Sequence, residues 1–188
     1  MSHINHEKRL IFVHIPKAAG TAISNSSLVG GGSGHAGADV LVPQHPDYFS
    51  FAFVRSPYDR LVSAYHAAKQ HAVKWQQVGD MPFPDYIKAL QDNENLIGPH
   101  TRNMRSFVCD KAGNLLVKFV GRYEQLGFDW HLLSDEPLRQ HNTSKHAQWW
   151  TYYTPELLEV VEQVYADDFE FFGYQRLSSR ARQHRRPR

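Results

Sequence analysis

The sequence predicts an α/β fold built on a buried parallel sheet covered by helices. Two observations carry that expectation. The runs "RLIFVHI" (9–15), "FSFAFVR" (49–55) and "LLVKFVGR" (115–122) combine near-continuous apolarity with β-branching over the length of a strand, the pattern of strands buried on both faces. Between and after these runs the pattern changes to helical periodicity, so strands and helices alternate along the chain. At 188 residues, with 41% apolar and 21% charged positions, the chain can bury one substantial core, and residues 1–177 are expected to form a single domain.

Each element has its own signature. The first strand breaks at Pro16 into "PKAAGTA" (16–22). Pro16 stiffens the turn, Ala18, Ala19 and Gly20 let backbone approach a ligand, Lys17 adds a movable positive charge and Thr21 a hydroxyl. A strand that turns into a helix through such a loop aims several N–H groups and a helix dipole at one point, where a phosphate fits. The lysine stands before the glycine, unlike the ATP-binding pattern GxxxxGK[ST], and no predicted strand ends in the acidic residue that would hold magnesium. "LVGGGSGHAGAD" (28–39) reads as a flexible loop.

The second strand delivers Arg55 to its end, and "SPYD" (56–59) starts a helix: Ser56 as cap, Pro57 at the first helical position, Asp59 closing the box. That helix is expected to run to about Lys74 and carries Ser63 two turns in. "DKAGN" (110–114) reads as a turn into the third strand. "TPEL" (154–157) starts a last helix ending near Gly173, with Leu157, Leu158, Val161, Val164, Tyr165 and Phe169 on one apolar stripe.

The formal charge of +2 hides an asymmetry, because the tail 178–188 holds five arginines and no acid, leaving the rest net acidic. The tail is expected to be disordered and solvated, and no nucleic-acid partner is expected. A single cysteine, Cys109, excludes an intramolecular disulfide, and the sequence shows neither a signal peptide nor an 18-residue apolar run. It reads as a cytoplasmic protein without a membrane span. No HExxH, CxxC, EF-hand or GxSxG pattern occurs, and no metal is expected. The aromatics of "WQQVGDMPFPDYIKAL" (75–90) and "WWTYY" (149–153) suit core packing, with stacking on sugar rings as their other use.

Taken together, "HIPKAAGT" (14–21) and "RSPYDRLVSAY" (55–65) resemble the two signature segments of the sulfotransferases that use 3′-phosphoadenosine 5′-phosphosulfate (PAPS). The likeness is to the membrane-type carbohydrate sulfotransferases, the heparan 2-O and chondroitin enzymes and their bacterial relatives. It continues through "GNLLVKFVGRYEQL" (113–126), "HNTSKH" (141–146) and "YYTPELLEVVEQVYADDFEFFGY" (152–174). It implies a three-layer, P-loop-like fold with about four or five parallel strands, and in-line transfer of a sulfuryl group from PAPS to an acceptor hydroxyl, that of a carbohydrate, with no metal. It further implies that Lys17 meets the bridging oxygen and the 5′-phosphate, that Ala18, Ala19, Gly20, Thr21 and Ala22 line that site, and that Arg55 and Ser63 meet the 3′-phosphate. Asn142, Ser144 and Lys145 fall in a segment that resembles a loop closing over the nucleotide.

A hydroxyl acceptor needs a general base, and histidine is the default near neutral pH. His100, in "GPHTRNMRSF" (98–107), is the first candidate, because relatives present a histidine to the acceptor there. His14, at a strand end beside the cradle, is the second, and His141 the third. The chain departs from the group's pattern at Asn103 and Met104, where many relatives carry Pro-Gln, and its 28–48 loop is short. The expected partner is an acceptor with a free hydroxyl; the residues do not reveal an oligomeric state. On the residues alone two other classes stay open, an ATP-using nucleotide kinase of P-loop type and a nucleotide-binding protein without catalysis.

Overall fold

The computed structural model describes residues 1–29, 32, 34–71, 73–138 and 146–179. In chain order its regular elements are β1 (His3–Asn5), β2 (Leu10–Val13), α1 (Gly20–Ser24), α2 (Ala38–Leu41), β3 (Phe49–Val54), α3 (Pro57–Gln70), α4 (Gln76–Gly79), α5 (Phe83–Ala89), α6 (Arg105–Val108), β4 (Phe119–Arg122), α7 (Leu126–His131), α8 (Pro155–Val164) and α9 (Ala166–Phe172). The chain divides into two compact units, each built from two stretches: Met1–Arg55 with Met104–Thr143, and Ser56–Asn103 with Ser144–Arg188.

The first unit holds a four-stranded sheet in the order β1-β2-β3-β4. β2, β3 and β4 are parallel, as the apolar runs predict, with Phe12 opposite Phe51 and Phe51 opposite Phe119. β1 corrects the all-parallel expectation: it pairs antiparallel with β2, Ile4 opposite Ile11. Three residues reading His-Ile-Asn carry no apolar run by which such an edge strand could be recognised. The third strand is also shorter than its run. Leu115 instead forms an isolated bridge to Cys109, and the Lys118 N–H donates to the Ser50 carbonyl.

Strand side chains alternate between faces, so Phe12, Phe51 and Phe53 share one side, where Ile23 of α1 and Trp130 of α7 cover them. The rings of Phe12 and Phe51 stack with centroids 5.2 Å apart. Phe53 lies across β4 only because its register partner is Gly121, where a β-carbon would stand 2.4 Å from the Phe53 ring. In the segment read as a flexible loop, residues 38 and 39 already belong to α2.

The second unit is helical. α3 ends at Gln70, a turn short of the expected Lys74, and the Ser56 side chain makes no capping hydrogen bond although Pro57 takes the first helical position. Thr154 does cap α8, its hydroxyl accepting from the Leu157 N–H. The expected single last helix is broken at Tyr165, and Gly173 ends α9 in the left-handed region at φ 64°. The predicted stripe is real across the break: Leu157, Leu158, Val161, Tyr165 and Phe169 are buried together with Leu61, Tyr86 and Ile87. Trp149 stacks on Tyr58 at 5.4 Å and 8°, so the aromatic segment supplies core, while Trp150 stays exposed. Residues 180–188 of the basic tail lie outside the described residues. Among the described residues no helix is long and apolar enough to cross a membrane.

Candidate functional site

The turn between β2 and α1 is unusual in its backbone. Lys17 and Ala19 both occupy the left-handed region, at φ 69° and 67°. For residues with a β-carbon this costs on the order of 1 kcal/mol each, and such strain collects where a chain must present groups in a fixed way. Left-handed turns of this kind bring successive N–H groups to one concave side that suits an anion. Ala18 and Gly20 are buried beneath the turn, Ala22 is half-buried and Thr21 is exposed.

Arg55, delivered by β3 as the sequence predicts, reaches this turn. Only 8% exposed, it donates from Nη1 to the Lys17 carbonyl at 3.1 Å, and its guanidinium lies 3.9 Å from the centroid of the Tyr123 ring. Burial pushes the Lys17 ammonium below its usual pKa, and the Arg55 charge pushes it the same way. Two cations held together and partly withdrawn from water are a donor set that an anion relieves. The turn therefore fits a phosphate or sulfate group by charge and by backbone.

His14 packs against the start of α1. A β-carbon on Gly20 would stand 1.8 Å from His14 Nε2, so this imidazole packs directly on the first residue of α1, and its Nδ1 meets the amino group of Met1. The Ser2 hydroxyl accepts from the His14 N–H at 3.1 Å and donates to the Ala36 carbonyl at 2.8 Å, while the Ser2 N–H donates to the Gly34 carbonyl at 2.7 Å. These bonds bring residues 34–36 to the end of β2. His35 consequently lies beside His14, ring centroids 5.0 Å apart. Sequence reading passed over His35, which stands in a glycine-rich stretch without periodicity, and over Tyr123. Ser2, just ahead of β1, is what brings His35 there, and no local pattern announces it.

The structure thus brings Lys17, Gly20, Arg55 and His14 together in the first unit. Ser63 and His100 belong to the second. Ser63 lies on α3 and is 3% exposed. His100 ends a 3-10 turn, Gly98–His100, with its ring edge-on to Trp75 at 5.6 Å. Its loop is anchored from below: Arg60, fully buried, donates to the Arg102 carbonyl at 2.7 Å, and the Tyr165 hydroxyl to the Thr101 carbonyl at 2.6 Å. His141, Asn142, Ser144 and Lys145 lie outside the described residues.

A family model described as the sulfotransferase family matches residues 39–175, well over half of the chain. The chain belongs to the sulfotransferase family. No curated protein and no solved structure matches it. The match takes in Arg55, Ser63, His100 and the 142–145 segment, whereas Lys17 and its turn precede it. Among the described residues no group of three or more His, Cys, Asp and Glu side chains could hold a metal ion.

Proposed function

We propose that the protein moves the sulfuryl group of PAPS in line onto an acceptor hydroxyl, on a P-loop-like, three-layer scaffold. The observation that carries this reading is the left-handed turn after β2, with Lys17 and Arg55 side by side on it. The succession from β2 through the turn to α1, and from β3 to α3, supports the scaffold. PAPS supplies the sulfuryl group and a phosphate leaving group. Lys17 and the backbone of Ala18, Ala19, Gly20, Thr21 and Ala22 hold the 5′ end, and Lys17 places its charge where negative charge gathers in the transition state. Arg55 and Ser63 hold the 3′-phosphate by the resemblance of 55–65. Asn142, Ser144 and Lys145 close over the nucleotide by the same resemblance. Family membership favours sulfuryl transfer over the kinase reading.

For the proton acceptor, position in the sequence favours His100, and geometry favours the His14–His35 pair beside the cradle. The resemblance to carbohydrate enzymes makes a sugar hydroxyl the acceptor to test first. The experiment is an acceptor screen with labelled PAPS, followed by pH–rate profiles of His14→Ala, His35→Ala and His100→Ala. A histidine base gives an acidic limb in the profile, which disappears in the variant that lacks it while PAPS affinity is kept. If no acceptor of any class is sulfated although PAPS binds, the protein is a nucleotide binder and the catalytic reading fails.

A further inference from the structure

We infer that the second unit contains a binding site for a small aromatic anion, a single ring bearing one carboxylate or sulfate group. The site is the cavity that His100 lines, about 250 Å³ in volume. This inference does not depend on the proposed function, because it rests on the lining alone.

The floor is apolar. Ala64 and Ala68 of α3 and Ile97 are each at most 1% exposed, and Ala67 joins them on the same helical face. Alanine at these three positions of α3 is what leaves the space open. Two walls are rings set edge-on to each other, Trp75 and His100. Gly98, in the left-handed region at φ 61°, lets the chain turn past the Trp75 ring toward His100. An apolar cavity of about 150 Å³ takes benzene, so this volume suits one ring with one substituent and is below the usual range for larger ligands.

The polar part of the lining decides the substituent. Among the described residues it consists of His71, Lys74 and His100, with no carboxylate or side-chain amide. The Lys74 ammonium already lies 5.1 Å from the Trp75 ring centroid, so positive charge stands at the mouth on the side of the flat wall. Lysine only donates, and each neutral histidine can accept at most one hydrogen bond. A pyranose brings several hydroxyl donors and would leave most of them unmatched against alanine and isoleucine. An aromatic anion matches both parts: its ring replaces water on the floor and against Trp75, and its oxygens accept from the basic rim.

The test is calorimetric titration of the full chain with phenyl sulfate, benzoate, benzyl alcohol and methyl β-D-glucopyranoside. Phenyl sulfate or benzoate should bind about tenfold tighter than benzyl alcohol, whose ring is the same but whose substituent is neutral; whichever binds tighter names the anionic group. Ala67→Leu, which fills the cavity from a half-buried position, should abolish binding of the aromatic anions. Lys74→Met, on the exposed rim, should weaken them about fivefold and leave benzyl alcohol unchanged. Anion binding that survives Ala67→Leu would lie elsewhere, the cradle at Lys17 included, and would overturn the inference. So would equal affinity for anion and alcohol, or tighter binding of the glucopyranoside.

Discussion

Gly20 has no room for a side chain, because His14 Nε2 already lies where its β-carbon would be. Gly20→Ala must therefore push the imidazole off α1, and overpacking of that kind costs about 1–3 kcal/mol. Denaturant midpoints should fall accordingly, and turnover should fall with them if His14 or its neighbour His35 moves the proton; a variant with unchanged stability would show that the ring is free to swing away. Lys17 makes a sharper case. Burial and Arg55 already disfavour its charge, so Lys17→Met should leave the unliganded protein as stable or more so while lowering turnover by about a hundredfold or more. Normal turnover at saturating PAPS would remove Lys17 from the leaving-group role. These residues were legible in the sequence because each is local: a lysine and glycine in one turn, an arginine at the end of one apolar run. His35 and Tyr123 were not, since only the pairing of β1 with β2 and the arrival of β4 beside β3 bring His35 to His14 and Tyr123 to Arg55.

At the scale of elements, apolar runs located β2, β3 and β4 but overstated their ends, because a strand stops where pairing stops and not where apolarity does. Capping signals divided in the same way. Thr154 caps α8 as read, while at Ser56 only Pro57 plays its expected part. Less legible still was what fixes the end of the last helical stretch. Glu162 of α8 accepts from the Tyr58 hydroxyl at 2.5 Å, the Leu177 N–H at 2.7 Å, and the Ser178 N–H at 2.8 Å and hydroxyl at 2.7 Å. Although burial alone would raise its pKa, the hydrogen bonds from Ser178, Tyr58 and Leu177 hold the carboxyl below its usual value. A carboxylate with a depressed native pKa contributes stability above its unfolded pKa, about 4.3, and loses it as pH falls through the lower native value. Glu162→Gln should thus cost about 1–3 kcal/mol near pH 7, and the gap to wild type should close as pH falls below about 4. Urea midpoints across that range measure it. A gap that stays constant with pH would mean that shape, not charge, is what Glu162 provides.

At the scale of the whole molecule, the alternation of strands and helices predicted the class, and membership of the sulfotransferase family bears out the resemblance in kind. The two units draw on interleaved stretches of chain, and that no local pattern could foretell, since it is decided by which distant segments share a core. The prediction at this scale links ligand binding to the stability of the whole chain. A ligand that binds only the native state stabilises it by RT ln(1 + [L]/Kd), about 2.7 kcal/mol at a hundred times Kd, and an anion at the cradle should also return the Lys17 ammonium toward its ordinary pKa. Adenosine 3′,5′-bisphosphate should therefore raise the melting temperature, and ATP with magnesium should raise it much less. Adenosine 5′-monophosphate, which lacks the 3′-phosphate, separates the two possible duties of Arg55. If Arg55 meets that phosphate, Arg55→Ala should cut the stabilisation by the bisphosphate while hardly changing the small effect of the monophosphate. Equal losses for both nucleotides would reduce Arg55 to the brace of the Lys17 carbonyl that its hydrogen bond already makes it. Stabilisation by ATP and magnesium equal to that by the bisphosphate would return the kinase reading to contention and detach the cradle from PAPS.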